Sequence, residues 1–450
     1  MTIASIILAA GKGTRMRSKL PKVLHTLAGK PMVWHALDAV QGLTDLPPVL
    51  VVGYKAEAIR EAMGASCQYV LQGEQLGTGH AVACCRPLLE GRADTVLVTF
   101  GDMPLLRKES LEKLIRMHQQ TNSPVTMTSF IGDEARGFGR VVRNEQGEVV
   151  AIVEQVDATP EQLAIREYNV SAYCFSAGWL WNVLDKIPVS PKGEYYLTDV
   201  IGLAVAEGYA VQSLVLDDPA EAIGINSRVH LAAAEKILRR RINTHWMVEG
   251  VTLIDPETTY IEAGVTIGGD TVIHPNTHLC GATVIGKDCE IGPDTTVRDT
   301  TVGDRAHLIS STLESAILED DVTMGPYCHL RKGAHLANGV HMGNYGEVKD
   351  SYLGPQTKMG HFSYIGNAQI GSNVNIGAGT ITCNYDGEKK NPTEIGDDVF
   401  IGSDTMLVAP VKIGDRAVTA AGAVVTRDVP PDTLVVGVPA KETRKLEKSD

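Results

Sequence analysis

The sequence predicts two different folds in one chain, an α/β domain with a mostly parallel sheet and a parallel β-helix, joined by an amphipathic helix. Three observations carry this. Short apolar runs alternate with helical patterns over roughly the first 225 residues. Apolar side chains recur at three- and four-residue steps between Ser227 and Val248. Beyond Gly250 an aliphatic residue recurs at every sixth position.

Taking the elements in order, Ile3–Ala10, Pro48–Val52, Thr95–Phe100 and Val125–Phe130 read as buried strands. Met32–Gln41 and Lys108–Gln119 read as helices between them. Strands alternating with helices imply a mostly parallel sheet covered on both faces. Leu231, Ala234, Leu238 and Ile242, with Arg239, Arg240 and Arg241 among them, mark one amphipathic helix, a connecting arm between domains.

In the last part Ile261, Ile267, Ile273, Leu279, Ile285, Ile291 and Val297 stand six apart without a break. The phase then slips and resumes at Met324, Leu330, Leu336, Met342 and Val348, and again at Ile395, Ile401, Leu407 and Ile413. This period fits neither an amphipathic helix nor a hairpin array. It fits a solenoid whose triangular coil has three short strands, each with one aliphatic side chain pointing inward and small turn residues at the corners.

Composition sets bounds. Aromatics are only 5% of the 450 residues while glycines number 45, which points to many tight backbone turns. The net charge of −13 argues against broad nucleic-acid or membrane-surface binding. No apolar run approaches transmembrane length. The apolar start has no basic segment before it, so it reads as a first strand and not a signal peptide. The eight cysteines show no CxxC and no disulfide-like spacing, as expected of thiols in a reducing cytoplasm.

The first strand runs through Leu8-Ala9-Ala10 into Gly11-Lys12-Gly13-Thr14-Arg15-Met16 and then Leu20-Pro21-Lys22. Two glycines let the backbone turn sharply beside a phosphate, whose charge N–H groups can cradle. Arg15 and Lys22 can neutralise a triphosphate. The third glycine of a dinucleotide fingerprint and the Gly-Lys-Ser/Thr end of a P-loop are both missing. The full string resembles the signature of nucleotide-sugar pyrophosphorylases. Gln72-Gly73-Glu74-Gln75-Leu76-Gly77-Thr78-Gly79-His80-Ala81 is similar to that family's base-reading loop. Asp102 follows a strand at its C-terminal end, the edge where open α/β sheets bind ligands. Asn226 by itself reads as a helix N-cap; the resemblance implies that it joins Asp102 in holding Mg²⁺. Gly139, Glu154, Asn169 and the string Gly193–Asp199 match positions that hold the amino sugar in this family. Phe100 stands where a Tyr is usual, so any hydroxyl contact from that position is absent.

The second domain resembles the left-handed parallel β-helix of hexapeptide acyltransferases. Its hand comes from that family, since the general rule for crossovers predicts the opposite. Several strings interrupt the plain repeat: Leu330-Arg331-Lys332, Glu347-Val348-Lys349, Met359–Tyr364, Asn373–Gly379 and the polar loop Thr382–Lys390. Their neighbourhood is similar to the acetyltransferase domain of the bifunctional N-acetylglucosamine-1-phosphate uridylyltransferase family. An amine must lose its proton before it attacks a thioester, and imidazole titrates near working pH. The resemblance implies His361 as general base with Glu347 as its orienter. It implies Arg331, Lys349, Tyr364 and Asn375 for glucosamine 1-phosphate. It places Asn384 and Tyr385 near the acetyl group, and Ser403 and the backbone around Ala378 and Ala421 at acetyl-CoA.

His329, His335 and His341 invite a zinc reading, but six-residue steps put them on successive faces of one coil. Lys441, Arg444 and Lys445 can reach the 3′-phosphate of CoA or form a solvated tail. An Arg the family often has near Val438-Pro439 is missing here.

Together these resemblances imply a Rossmann-like nucleotidyltransferase domain over residues 1–226, a linker helix over 227–249, a left-handed β-helix of hexapeptide repeats over 250–438 and a tail over 439–450. The implied activity is acetyl-CoA-dependent acetylation of glucosamine 1-phosphate, then uridylyl transfer from UTP to give UDP-N-acetylglucosamine for peptidoglycan and lipopolysaccharide. UTP and its product would lie on Leu8, Ala9, Ala10, Gly11, Lys22, Gln72, Gly77, Thr78, Asp102, Gly139, Glu154, Asn169 and Asn226. Arg15 and Lys22 would neutralise charge in the transfer, and the assembly implied is a cytoplasmic homotrimer with no nucleic-acid or membrane partner. The alternatives are a single-activity nucleotidyltransferase whose β-helix only oligomerises, and a non-catalytic scaffold. The cluster of His361, Asn375, Asn384 and Tyr385 argues against the first, and the Asp102–Asn226 pair against the second.

Overall fold

The computed structural model describes residues 1–133 and 137–445. The chain divides into two compact units, Met1–Leu238 and Arg239 onward.

In the first unit, strands β1 (Ile3–Leu8), β2 (Val49–Val52), β3 (Gln68–Leu71), β4 (Thr95–Phe100) and β5 (Val125–Ile131) are followed by β6 (Arg140–Arg143), β7 (Val149–Val153), β8 (Glu167–Ser176) and β9 (Gln212–Val215). The sheet order is β9-β5-β8-β4-β1-β2-β3, with β6 and β7 as a side hairpin on β8. All neighbours on the main path are parallel except β8, which runs antiparallel to β4 and β5. The helices α1 (Met32–Val40), α2 (Ala56–Met63), α3 (Thr78–Ala83), α4 (Lys108–Gln119) and α5 (Asp199–Ala206) belong to the same unit. Ile6 and Val98 fall in one buried cluster and Ile7 and Leu97 in another, as alternating side chains on a doubly covered sheet must. The predicted strands and helices appear with ends moved by a residue or two.

Helix α6 spans Arg228–Val248. Its first half belongs to the first unit, where Ala234 is fully buried with Met16, Leu27 and Leu105 and Glu235 accepts the Ala28 N–H at 2.9 Å. Its second half belongs to the second unit. There Asn243 donates to the Pro256 and Thr259 carbonyls at 2.8 and 3.0 Å, holding the first turn of the stack. Asn226 is not the cap of this helix. Ser227 takes that place, its Oγ accepting the His230 N–H at 3.2 Å.

The second unit is a stack of coils whose strands form three parallel sheets of eleven, ten and nine strands among the described residues, the first extended by one antiparallel strand at its end. Each inward aliphatic sits on the same face one coil later. Ile273 pairs with Ile291 and Leu279 with Val297. The slip in the sequence period is a shortening of corners: Ile285 pairs with Val302 and Val297 with Leu313. The ladder never loses register, because a strand slipped by one residue would turn its aliphatics outward. At the corners Asp270, Asn276, Asp288 and Asp294 take positive φ, a conformation Asx residues tolerate better than other side chains. Buried threonines beside the corners, such as Thr271, Thr357 and Thr405, donate to carbonyls of these turns at 2.6–3.0 Å. Between Ile370 and its partner Ile395 the chain makes its long excursion, the polar loop that includes Lys390. At the C-terminus Lys441–Lys445 adds an exposed antiparallel strand to Thr433–Val436. That part of the expected tail is paired backbone; residues 446–450 lie outside the described residues.

Candidate functional sites

The chain leaves β1 for β2 and β3 on one side, then returns to β4 on the other. A crevice opens at the C-terminal ends of β1 and β4, where strand order reverses. There lies a cavity of about 300 Å³ lined by Leu8, Ala9, Ala10, Gly11, Lys22, Gln72, Gly77, Thr78 and Asp102, all expected from the sequence. Val23, Gln75, Ala81, Phe100, Glu194 and Tyr196 complete the lining.

Two glycines make the cavity possible. Gly13 (φ +61°) lets the Lys22 stem lie against the turn, where a Cβ would come within 2.5 Å of Lys22 Cβ. Gly77 (φ +102°) packs on the Tyr195 backbone, where a Cβ would fall 2.5 Å from the carbonyl oxygen. Hydrogen bonds zip the two loops together: Tyr195 N–H to Leu76 O at 2.8 Å, Gly79 N–H to Tyr195 O at 2.8 Å, and Leu197 N–H to Thr78 Oγ1 at 2.9 Å.

Asp102 and Asn226 converge on one cation. The Lys22 ammonium forms an ion pair with Asp102 and donates to Asn226 Oδ1 at 3.1 Å. The Asp102 carbonyl accepts the Ile225 N–H at 2.9 Å, which ties the two segments together. One carboxylate and one amide oxygen are few ligands for a protein cage, but they suit Mg²⁺, which keeps waters and substrate phosphates as its other ligands. The residues present fit a divalent cation.

Gly139, Glu154 and Asn169 come together outside the lining of that cavity. Asn169 N–H donates to Gly139 O at 2.9 Å, and a Cβ on Gly139 would lie 3.6 Å from a Glu154 oxygen. Burial raises the Glu154 carboxyl above its ordinary range, although Thr198 donates to it at 3.4 Å. Burial likewise raises Asp199. Arg15 stands exposed on the turn Thr14–Met16, away from the cavity lining.

In the second unit the expected residues fall into two groups. Arg331 and Lys349 sit at the same end of one face on successive coils. A Cβ on Gly366, one coil later, would meet both the Tyr364 hydroxyl and Asn384 Nδ2, the latter at 2.7 Å. The missing side chain thus brings Lys349, Tyr364 and Asn384 around one spot. Lys390, from the long loop, reaches Lys349, and the neighbouring cation lowers the Lys349 ammonium below its ordinary range. Sequence reasoning missed Lys390, because its partner lies a whole coil away. Three crowded cations, Arg331, Lys349 and Lys390, call for an anion.

The second group is a corner column. Gly379 N–H donates to Phe362 O at 2.7 Å, Asp404 to Ala378 O at 2.6 Å and Gly422 to Ser403 O at 2.8 Å. His361, Ala378, Ser403 and Ala421 therefore belong to one ladder of corners.

Three expected residues stand apart from these two groups. The Glu347 carboxylate is bound to Arg331 at 2.9 Å. Asn375 lies on the neighbouring face, paired with Lys358 and Phe400, and not on the face of Tyr364. The Tyr385 hydroxyl is turned into its own loop, donating to Gly387 O at 2.6 Å. His329, His335 and His341 pair separately with Glu314, Glu319 and Thr323. No group of three metal-ligating side chains occurs among the described residues. A wider groove of about 800 Å³ runs along Gln369, Glu394 and Lys412 and contains none of the expected site residues.

Fold and sites together define a nucleotidyltransferase joined to a hexapeptide-repeat transferase. The MobA-like NTP transferase domain matches residues 5–171, and the bacterial transferase hexapeptide repeat matches 264–299 and 392–427. Among curated relatives, the bifunctional protein GlmU of Pelobacter propionicus is 47% identical over 438 residues, covering 96% of this chain and 95% of that protein. GlmU of Exiguobacterium sibiricum is 46% identical over 441 residues, covering 98% of each. GlmU of Heliobacterium modesticaldum is 45% identical over 433 residues, covering 96% and 94%. The chain belongs to the GlmU family. It is a bifunctional enzyme with a uridylyltransferase domain followed by a left-handed β-helical acetyltransferase domain, and it serves cell-wall precursor synthesis.

Proposed function

We propose that the crevice of the first unit joins UTP to N-acetylglucosamine 1-phosphate, and that the second unit makes that sugar phosphate from glucosamine 1-phosphate and acetyl-CoA. Two separate anion sites, Lys22 beside Asp102 and Asn226, and Arg331 with Lys349 and Lys390, support this reading above all. Each reaction needs its own phosphate grip.

In the first reaction an oxygen of the sugar phosphate attacks the α-phosphorus of UTP and pyrophosphate leaves. Little covalent chemistry is asked of the protein, so positioning and charge neutralisation carry the rate. Lys22 and the glycine turn meet the phosphates, with Arg15 swinging in from the exposed turn. Gln72 faces the base. Gly139, Glu154 and Asn169 hold the sugar. Asp102 and Asn226 would hold Mg²⁺, which when bound neutralises charge on the phosphates.

In the second reaction His361 takes a proton from the amine of glucosamine 1-phosphate. The nitrogen forms its bond to the thioester carbonyl, the C–S bond breaks, and the proton passes to the leaving thiolate. Arg331, Lys349 and Lys390 hold the phosphate, with Glu347 fixing the Arg331 guanidinium. Tyr364 and Asn384 position the sugar, and Ala378, Ser403 and Ala421 line the CoA path. Asn375 and Tyr385 complete the site from another copy, because one chain turns them away from it. A homotrimer supplies such copies. The eight free cysteines support a cytoplasmic location.

The test is thiol release from acetyl-CoA with glucosamine 1-phosphate, followed by pyrophosphate release when UTP is added. Wild type should release both, and His361→Ala should lose the first while keeping the second with N-acetylglucosamine 1-phosphate. A well-folded wild type that releases no thiol would leave the β-helix without a reaction.

A further inference from the structure

Gln72 lies at the end of β3, only 3% exposed, and lines the nucleotide cavity. Its side-chain nitrogen is fully committed: Nε2 donates to Gly77 O at 3.0 Å and to His80 Nδ1 at 3.1 Å. Both partners are acceptors for physical reasons. Gly77 O is a carbonyl that also receives the Ala81 N–H of α3 at 3.1 Å. An amide nitrogen cannot accept, so with Gln72 Nε2 on this side His80 Nδ1 presents its lone pair and the ring carries its proton on its own Nε2, which points to Cys84 Sγ at 3.8 Å. Turning the amide over would set its oxygen against the Gly77 carbonyl oxygen and would force the His80 proton from Nε2 to Nδ1, leaving a lone pair towards Cys84. The amide is therefore locked, and no hydrogen bond within the described chain uses Gln72 Oε1.

We propose that His80 is a positioning residue for base selection: it holds the Gln72 amide so that only an acceptor, Oε1, faces the nucleotide base. Uracil carries a donor at N3–H. Cytosine carries a lone pair at N3 and would meet Oε1 with like charge. An amide free to turn would serve either base, so discrimination between them comes from the lock and not from glutamine itself. The inference rests on the reading of Gln72 as the base-facing residue. Its sequence signal is the eight-residue spacing from Gln72 to His80, which is silent until β3 and α3 fold back on each other.

The experiment compares kcat and KM for UTP and CTP in the full-length chain with saturating N-acetylglucosamine 1-phosphate. His80→Leu removes the acceptor and should lower the UTP-over-CTP ratio of kcat/KM about tenfold, mainly through KM for UTP. His80→Asn can place its Oδ1 where Nδ1 stood and should restore the ratio to within about twofold of wild type. Should His80→Leu fail to fold, His80→Ala makes the same deletion. Gln72→Ala separates the two layers of the argument. If it leaves the ratio unchanged, Gln72 does not read the base and both fail. If it lowers the ratio while His80→Leu does not, the positioning role alone is overturned.

Discussion

Replacing Tyr173 by Phe should weaken both the first unit and its grip on the sugar. Tyr173 is 1% exposed in the middle of β8, between Val98 of β4 and Met127 of β5. Its hydroxyl accepts from Asn169 Nδ2 at 2.7 Å, and Asn169 is itself 2% exposed. Asn169 Oδ1 accepts the N–H of Ser171, whose positive φ marks the bulge between the two residues. Burial pushes the Tyr173 hydroxyl well above its ordinary range, so it stays neutral at any working pH. Phe keeps the ring and its stacking on Phe175 at 5.7 Å. What is lost is one buried hydrogen bond, leaving an amide hydrogen of Asn169 unpaired. That omission costs about 2 kcal/mol. For a unit of this size the midpoint of thermal unfolding should fall by roughly 4–8 °C. With the Asn169 amide held by the Ser171 N–H without the tyrosine hydroxyl, KM for N-acetylglucosamine 1-phosphate should rise about tenfold with kcat nearly unchanged, the mark of lost uniform binding. Melting followed by circular dichroism and pyrophosphate-release kinetics read the two effects. A variant with unaltered midpoint and KM would refute the coupling of Tyr173 to Asn169.

Asp102→Ala should lower pyrophosphate release by about 10²–10³-fold while acetyl transfer continues, since losing one group that stabilises transition-state charge costs of that order; an unchanged rate would remove Asp102 from the cation site. Burial lowers His118 from its ordinary 6.5 to about 4. The unfolded chain then takes up this proton first, so the stability that neutral His118 provides is present above pH 6.5 and lost as pH falls towards 4. His118→Asn should flatten that limb in melts across this range, and an unaltered slope would contradict the assignment. Leu330→Ala should destabilise the second unit by about 3 kcal/mol, because the side chain is fully buried between Leu313 and Val348 on adjacent coils. A melt within about 1 kcal/mol of wild type would mean that the coils close over the gap.

Much of this was legible before folding. The glycine turn before Lys22, the Gln72–Ala81 string and Asp102 at a strand end all proved to share one cavity, because a strand's end and the turn that follows it are local properties. The six-residue aliphatic period disclosed the coil for a similar reason. Asn226 misled because Asn and the adjacent Ser227 carry nearly the same capping signal, and only the bond to His230 chooses between them. The bond from Arg331, one coil earlier, to the Glu347 carboxylate was not legible, because the two meet only once the coils stack.

The sequence by itself determined the two fold types, the inward face of each coil and the candidates for both sites apart from Lys390, since these follow from residue type and short-range period. Tertiary structure decided which members of that inventory meet. Corner deletions and the long loop change the length of individual coils, and this brings Lys390 to Lys349 while leaving Asn375 on another face. The amides of Gln72 and Asn169 likewise find their partners only in the fold, Gly77 O and His80 for the first and the Ser171 N–H and Tyr173 for the second. A hydrogen bond fixes a side chain only when its partner is within about 3 Å, and that distance is set by the packed backbone and not by spacing along the chain.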